Sequence, residues 1–395
     1  MRSKSRLKIA YLCDLSPHLG WTYSGGNARI FDAVQSHVGD VEFIDNGWGR
    51  VEALRRLILK TPVAINMRSR WRAHYALSKI IAKHVETQLQ QKPYDVLLGA
   101  YSLHAMANLN VPKGVIRAFT SDATQSSYRG SEVGAGFGSY FKPGRLLDNW
   151  AKRQETRALV ANDINLWPSD WQKDLADRCY GLEDEKSIVI PWGANIPRPD
   201  AKGLRPNLAL SPKVQLLLVG RDWHAKGGPM ALETLSKLRV KGIDVRLTVV
   251  GTRPPASALD AFVDVYENLD KSVPEQLAQF ETLFRESHFL VQPSLESYGF
   301  AFCEASAYGL PSLCLRRGGI PIWDGVNGHA VTGTDAATQF FNLIQHYIAA
   351  PEDYKALRLS SRRCYEKQLN WTAWGKATQA CLQELCDRKA IALAS

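Results

Sequence analysis

Short apolar, β-branched runs alternate with longer segments of helical periodicity along almost the whole chain. This alternation is typical of parallel sheets that are wrapped by helices. In the first half, the predicted strands are residues 8–13, 41–45, 95–100, 114–119, 163–168 and 187–192. In the second half, they are residues 214–220, 245–251, 263–269, 288–294 and 311–315. The pattern therefore predicts an α/β protein with two doubly wound, Rossmann-like domains.

A proline-rich segment separates the two series of strands. Residues 194–213, ANIPRPDAKGLRPNLALSPK, contain four prolines and no apolar period, which favours a linker. We therefore expect an N-terminal domain of residues 1–193 and a C-terminal domain of residues 194–370. Residues 371–395 begin with a predicted amphipathic helix, which we expect to pack back on the N-terminal domain. A chain of 395 residues is also longer than one hydrophobic core usually serves.

The composition restricts the class of protein. A hydrophobic fraction of 45% with 22% charged residues is ordinary for a globular protein. No apolar run approaches the roughly 20 residues of a membrane span, and the polar start MRSKSRLK lacks the architecture of a signal peptide. The seven cysteines are scattered without a CxxC pair, which favours a reducing compartment and argues against structural zinc. We therefore expect a cytoplasmic protein.

The net charge of +10 is unevenly distributed. Residues 50–83 carry nine Lys or Arg against one acid, interleaved with apolar and aromatic residues. A basic face of this kind can lie on an anionic membrane surface, which would make the protein peripheral to the membrane's inner face. A solvated helix face explains the pattern equally well, and both interpretations stay open. We find no nucleic-acid-binding signature and expect no nucleic acid partner.

Polar residues follow the predicted strands at their carboxyl ends, where doubly wound sheets bind ligands. After strand 214–220 comes RDWHAKGG, in which Arg221 and Lys226 precede two glycines and a helix. Two cations with closely approaching backbone suit a phosphate group, although no Walker A loop is present. Gly25 and Gly26 precede the first helix, where main-chain NH groups could meet an anion. An ordinary turn is the alternative at both places.

The stretch ESYGFAFCE follows predicted strand 288–294 and places two carboxylates eight positions apart, at Glu296 and Glu304. In one helix they would be about 12 Å apart. An acid–base pair acting on one bond needs a separation of about 5–10 Å. The spacing instead suits the two ends of an elongated ligand. A solvated loop glutamate and an unrelated helix glutamate are the alternative. With a diphosphate on Arg221 and Lys226, a sugar would lie near Glu296 and a ribose near Glu304.

These segments together resemble the retaining GT-B glycosyltransferases of family four. The resemblance extends over nearly the whole chain and is strongest from residue 186 to residue 330. The matching segments occur in the family's order and are KSIVIPWGAN, LLLVGRDWHAKGG, RLTVVG, ESYGFAFCEASAYGLPSLCLRRGGIP and DGVNGHAV. The resemblance implies two Rossmann-like domains that face a central cleft, with an N-terminal acceptor domain and a C-terminal donor domain.

The resemblance also implies a role for each site residue. Arg221 and Lys226 would hold the diphosphate, helped by Gly25 and Gly26 and by Gly318 and Gly319. Glu304 would bind the ribose hydroxyls. The donor sugar would be held by Glu296 and the backbone of Tyr298, Gly299 and Phe300. No metal or other cofactor is implied, and the sequence has no Asp-x-Asp to bind one.

One segment departs from the family pattern. Many relatives end a strand of the N-terminal domain with a histidine that reaches the donor sugar. The corresponding segment here is RAFTSDATQ, in which Asp122 is the candidate for a catalytic polar contact near the anomeric carbon. A helix N-cap suits Asp122 equally well.

The sequence thus predicts one function and leaves several alternative functions open. We expect a metal-independent, retaining glycosyltransferase that moves a sugar from a UDP- or GDP-linked donor to a hydroxyl. The acceptor would be a glycan, a lipid-linked molecule or a small molecule. The alternatives are another GT-B activity, namely a sugar phosphorylase or sugar-nucleotide epimerase, and a non-catalytic subunit that binds nucleotide sugar.

Overall fold

The chain divides into two compact units, Met1–Trp192 with Trp371–Ser395, and Gly193–Asn370. The computed structural model describes residues 6–20, 22–47, 51–60, 63–135, 147–200, 205, 208, 210 and 213–394. Within these ranges, the side chains of residues 58, 59, 63–71 and 394 are not described.

The first unit contains a parallel six-stranded sheet with the strand order β2-β1-β3-β4-β5-β6. Its strands are β1 Leu7–Cys13, β2 Gly39–Asp45, β3 Val96–Ala100, β4 Ile116–Thr120, β5 Ile164–Trp167 and β6 Ser187–Val189. Its helices are α1 Gly26–Ala33, α2 Glu52–Lys60, α3 Val63–Gln91, α4 Leu103–Met106, α5 Gln125–Arg129, α6 Glu132–Ala135, α7 Asp148–Val160 and α8 Asp170–Tyr180. Helix α1 continues into a π-helical turn, Val34–Val38. The central strands β3 and β5 are buried throughout, as expected for a sheet covered on both faces.

The second unit repeats this architecture with a different strand order, β12-β11-β10-β7-β8-β9. Its strands are β7 Lys213–Val219, β8 Asp244–Val250, β9 Val263–Tyr266, β10 Phe289–Val291, β11 Ser312–Leu315 and β12 Gly328–Val331. Its helices are α9 Gly228–Val240, α10 Pro274–Glu286, α11 Phe300–Ala307, α12 Ala336–Ala349 and α13 Pro351–Lys367. Residues of β7 and β8 pair in register from Lys213 with Asp244 to Val219 with Val250.

The two sheets confirm the predicted α/β class with two doubly wound domains. Each of the eleven predicted strands overlaps an observed strand, but the apolar runs extend past the ends of several strands. The run 288–294 contains only the three residues Phe289–Val291 of β10, since the chain leaves the sheet there to form a loop. Strand β12 was not predicted. It is four residues long, begins with Gly328 and contains His329, so its apolar pattern is weak.

The C-terminal helix α14, Trp371–Ala394, packs within the first unit. Trp374 is 1% exposed, and Leu382 is fully buried. A Cβ on Gly375 would lie 2.8 Å from the Cβ of His37, so the helix approaches the π-helical turn closely at a residue without a side chain. Near its end, Lys389 donates to the carbonyl oxygen of Val115 at 2.9 Å. The helix is therefore part of this unit's core.

The basic region lies mainly on helices α2 and α3. Two of its cations are mostly buried in ion pairs, Arg55 with Glu52 at 3.2 Å and Arg72 with Asp148 at 2.6 Å. The described cations that remain exposed are Arg56, Lys60, Lys79 and Lys83. Arg50 lies outside the described residues, as do the side chains of residues 68 and 70. The exposed basic face is thus smaller than the sequence indicates, and membrane binding stays a prediction.

No helix in the described ranges is both long enough and apolar enough to cross a bilayer.

We expect Trp374→Ala to lower the free energy of unfolding of the first unit by about 3–5 kcal/mol, the usual cost of truncating a fully buried aromatic side chain. Urea unfolding followed by circular dichroism measures this change. Ile391→Ala is the matched control, because Ile391 lies on the same helix and is 72% exposed. A loss below about 1 kcal/mol for Trp374→Ala, within the range of ordinary surface changes, would contradict the core role of the helix.

Candidate functional site

The strand order of the second sheet creates a crevice between β7 and β10. These two strands are hydrogen-bonded neighbours, with Leu216 opposite Phe289, although the chain first adds β8 and β9 on one side and then β11 and β12 on the other. Doubly wound sheets bind ligands at such a point, beyond the carboxyl ends of the strands. A ligand site is therefore expected in the loops that follow β7 and β10.

The loop after β7 folds back across its own first residue. Gly220 has φ 154°, and a Cβ there would lie 2.4 Å from Cγ of Lys226, so the lysine stem passes directly over this glycine. Gly227 has φ 77° and precedes α9, and a Cβ at Gly227 would lie 2.6 Å from the carbonyl oxygen of Pro293 in the neighbouring loop. Arg221 is exposed at the start of this loop. The two glycines thus direct Lys226 toward the loop after β10.

The loop after β10 presents Glu296 to that lysine. The Glu296 carboxylate forms an ion pair with Lys226 and accepts a hydrogen bond from Oγ of Ser294 at 2.9 Å. Its backbone is also held, since the carbonyl oxygen of Glu296 accepts from the NH of Gly319 at 3.0 Å and the residue pairs with Gly318. Glu296 is therefore fixed at both its backbone and its side chain.

Helix α11 begins directly after this loop. Gly299 occupies the N-cap position with φ 92°, and Phe300 is the first helical residue. Tyr298 is 1% exposed, and its ring packs edge-on against Phe300 at 5.7 Å between centroids. The predicted backbone contacts to a sugar thus lie at a helix N-terminus, where NH groups favour an anion or a polar oxygen.

Glu304 lies one turn into α11 and is 3% exposed. Its carboxylate accepts from Nζ of Lys271 at 2.5 Å, and the same ammonium group lies 4.4 Å from the centroid of Phe280. Sequence reasoning missed Lys271. The signal was present, because Lys271 closely follows the predicted strand 263–269, at the sheet edge where the other site residues were sought.

The second unit therefore holds two carboxylates eight positions apart, each paired with its own lysine. Lys226 pairs with Glu296, and Lys271 pairs with Glu304. The side chains of Lys226 and Lys271 are 25% and 36% exposed, so both cations remain reachable from solvent while both carboxylates are largely covered. Such a site can accept anionic groups at the lysines and hydroxyl groups at the carboxylates.

The remaining predicted site residues lie in the first unit. Gly25 is the N-cap of α1 with φ 86°, and Gly26 is the first residue of that helix. Asp122 follows β4 and lines a cavity of about 290 Å³. It is not a helix N-cap, because Thr124 caps α5 through a capping box with Ser127. This excludes the alternative that the sequence offered for Asp122.

Comparison with known protein sequences finds a family that matches most of the second unit. Residues 213–349, about a third of the 395 residues, match the sequence family described as glycosyl transferases group 1. The chain is 29% identical over 192 residues to a D-inositol 3-phosphate glycosyltransferase of Segniliparus rotundus, covering 45% of this chain and 42% of the relative. It is 26% identical over 196 residues to a GDP-mannose-dependent alpha-(1-6)-phosphatidylinositol monomannoside mannosyltransferase of Mycolicibacterium smegmatis, covering 45% and 50%. The chain thus matches half or less of the length of these relatives.

Solved structures resemble the whole chain in fold. A glycosyltransferase from Rickettsia africae aligns with a TM-score of 0.62 at 14% identity, covering 96% of this chain and 98% of the other. HepE of Anabaena, solved in complex with UDP, aligns with a TM-score of 0.62 at 13% identity, covering 96% and 100%. At such low identity, the likeness concerns the fold. Residues 213–349 of the second unit thus match the glycosyl transferases group 1 family, and the Rossmann-like domains resemble the fold of these solved glycosyltransferases.

The ion pair of Lys271 with Glu304 should be energetically coupled, because Glu304 is buried and loses its counter-charge when Lys271 is replaced. For Lys271→Met and Glu304→Gln, singly and combined, we expect a double-mutant-cycle coupling of about 1–3 kcal/mol in the free energy of unfolding. The control is the exposed pair of Glu233 with Lys237 on α9. Its coupling should not exceed about 0.5 kcal/mol. Equal coupling in the two pairs would show that Glu304 does not depend on Lys271.

Proposed function

We propose that this protein is a retaining glycosyltransferase that uses a nucleoside-diphosphate sugar. The observation that carries the proposal is the junction of Lys226, after β7, with Glu296, after β10, at the point where the strand order reverses. Glu304 lies one turn further along α11. The match of residues 213–349 to glycosyl transferases group 1 supports the same activity.

In this proposal the diphosphate binds to Arg221 and Lys226. Cations held in advance near the leaving group stabilise the negative charge that develops on it, which is often the largest contribution to catalysis. Lys226 is neutralised by its ion pair with Glu296. A phosphate oxygen would take over that contact, so the Glu296 carboxylate would turn to the hydroxyl groups of the adjacent sugar.

The ribose occupies the other end of the site, at Glu304. A carboxylate can accept hydrogen bonds from two neighbouring hydroxyl groups through its two oxygens. Lys271 donates to only one of them, Oε1 of Glu304, and thereby holds the carboxylate in one orientation. Lys271 is therefore proposed as a positioning residue for the ribose contact.

The chemical step transfers the sugar from phosphate to an acceptor hydroxyl with retention. The bond between the anomeric carbon and the phosphate oxygen breaks, and the acceptor oxygen attacks the same face through an oxocarbenium-like state. The departing phosphate oxygen takes the acceptor's proton, so no protein nucleophile is required. Asp122 is proposed to supply a polar contact near the anomeric carbon. The similar D-inositol 3-phosphate glycosyltransferase and phosphatidylinositol monomannoside mannosyltransferase support a hydroxyl acceptor.

If Lys226 stabilises the leaving diphosphate, Lys226→Ala should lower the turnover number by about a hundredfold or more, the scale of one lost electrostatic donor. The assay measures release of nucleoside diphosphate from a panel of UDP- and GDP-linked sugars with simple sugar acceptors. Lys241→Ala, at an exposed lysine beyond the end of α9, should leave turnover unchanged. Turnover of Lys226→Ala within a few-fold of wild type would remove this lysine from the site.

Because two protein cations serve the diphosphate, nucleoside diphosphate should bind without a metal. We expect calorimetry on the full chain to give dissociation constants that agree within about twofold in EDTA and in millimolar Mg²⁺ or Mn²⁺, since the fixed ammonium and guanidinium groups already supply the charge. A large loss of affinity in EDTA that Mg²⁺ restores would contradict metal-independent binding.

Substitution of Glu296 and of Glu304 should have different effects on affinity and on maximal rate. A contact that is equal in ground state and transition state affects binding rather than turnover. Glu304→Gln should therefore weaken the affinity for the donor and for the free nucleoside diphosphate. Glu296→Gln should chiefly lower the maximal rate, because the sugar gains positive charge as its bond breaks. Steady-state kinetics and calorimetry on both variants measure this difference, and the reverse pattern would mean that the donor lies in the opposite orientation.

A further inference from the structure

The first sheet also has a point where the strand order reverses, and it lies between β1 and β3. These strands are neighbours, with Ile9 opposite Val96, while β2 lies outside β1 and β4 to β6 continue beyond β3. Asp14 directly follows β1, and Ser102 and His104 follow β3. A doubly wound sheet binds ligands at this position. None of these three residues is used in the proposed transfer reaction.

His74 joins Asp14 and His104 there in a cluster of one carboxylate and two imidazoles. One ligating atom each of Asp14, His74 and His104 lies within 4.8 Å of the other two. His74 comes from helix α3, and the two imidazole rings lie 4.7 Å apart between centroids. Both histidines are 8% exposed. The chain thus brings two imidazoles and one carboxylate together inside the unit.

The carboxylate of Asp14 is held by neighbours that leave one oxygen available. Oδ1 accepts from Oη of Tyr23 at 2.7 Å and from Oγ of Ser102 at 3.0 Å. Within the described part of the chain, Oδ2 accepts no hydrogen bond. Hydrogen bonds of this kind orient a carboxylate that ligates a metal through its second oxygen.

The charges of the cluster also favour a cation. The cavity of about 290 Å³ that these groups line also contains Asp122 and Glu155, and no Lys or Arg among its described lining residues. The partly buried carboxylate of Asp14, beside two buried imidazoles, therefore presents negative charge that a bound cation would balance.

Backbone strain concentrates around the same place. In the described ranges, the residues other than glycine with positive φ are Tyr23 at 51°, Ser24 at 56° and Tyr101 at 60°. The rings of Tyr23 and Tyr101 stack at 3.9 Å, and both line the cavity. Such conformations are strained and persist where the surroundings enforce them, frequently at ligand sites.

We propose that Asp14, His74 and His104 bind a divalent transition-metal cation. Two imidazoles and a carboxylate are ligands that Zn²⁺ and Fe²⁺ accept readily. At the centre of a triangle with 4.8 Å sides, a cation would lie about 2.8 Å from each ligand atom. Because metal–nitrogen bonds are about 2.0–2.1 Å long, each side chain has to move inward by less than about 1 Å.

Three protein ligands leave at least one coordination position for a further oxygen. The ligands line the cavity, together with Tyr101 and Gln125. Oη of Tyr101 and Oε1 of Gln125 are buried without a hydrogen-bond partner among the described residues. A bound molecule with hydroxyl groups would satisfy them. Resting on the proposed function, we assign this place to a hydroxyl of the acceptor, whereas the metal site itself does not depend on that function.

The test is metal binding by the full chain. After treatment with chelator and desalting, calorimetric titration with Zn²⁺ should give one cation per chain. Asp14→Asn, His74→Gln and His104→Gln should each weaken this binding by at least about a hundredfold. Tyr23→Phe, which removes only an orienting hydrogen bond, should weaken it by about tenfold. His84→Gln, at an exposed histidine on the same helix as His74, should leave it unchanged.

Thermal unfolding provides a second measurement for variants of low stability. Zn²⁺ should raise the Tm of the wild type and of His84→Gln, because a cation that binds the folded state alone stabilises it. Zn²⁺ should not raise the Tm of His74→Gln or His104→Gln. The proposal is overturned if wild type binds no Zn²⁺, or if its binding survives the histidine substitutions, which would place the cation on the cysteines or the surface. Either result leaves the predictions for Lys226 and Glu296 untouched.

Discussion

The parallel hydrogen bonding of β7 with β10 determines where the second unit can bind a ligand. The two strands end about seventy positions apart in sequence, at Val219 and Val291, yet they are neighbours in the sheet. Because the chain leaves this pair in opposite directions, helices cannot cover the space beyond the two strand ends. Lys226 and Glu296 meet in that space. The first sheet obeys the same constraint with β1 and β3, where Asp14 and His104 meet.

In the second unit, each of the two site lysines has a carboxylate partner, Lys226 with Glu296 and Lys271 with Glu304. Burying Glu304 without Lys271 would leave an uncompensated charge, and such charges cost several kcal/mol. The ion pairs therefore stabilise the site, but they also set a condition on any ligand. A diphosphate sugar meets this condition, because its phosphates can replace Glu296 at Lys226 while its hydroxyl groups satisfy the carboxylate. A simple phosphate would satisfy the lysine and leave Glu296 without a counter-charge.

The sequence predicted much of the fold and part of the candidate site, for reasons that differ between elements. Apolar runs such as LLLVG identify strands because strands buried on both faces lose their polar positions. Strand β12 was missed because its four residues include a glycine and a histidine. The site residues of the second unit are grouped in two short segments after strands, so a local pattern exposes them. The positions 14, 74 and 104 form no motif, and only the folded first unit brings them together. Lys271 was missed because it stands between Asp270 and Ser272, without the glycines and the second cation that mark the segment after β7.

The claim that the phosphates bind beyond β7 and β10 is tested most directly by comparing nucleoside diphosphate with nucleoside monophosphate. Calorimetry on wild type and Lys226→Met, with the same nucleoside in both ligands, isolates the contribution of the outer phosphate. The account predicts that wild type binds the diphosphate at least about tenfold more tightly, which corresponds to about 1.4 kcal/mol, and that Lys226→Met loses most of this difference. An unchanged preference for the diphosphate in Lys226→Met would contradict the account, because the outer phosphate would then be bound elsewhere.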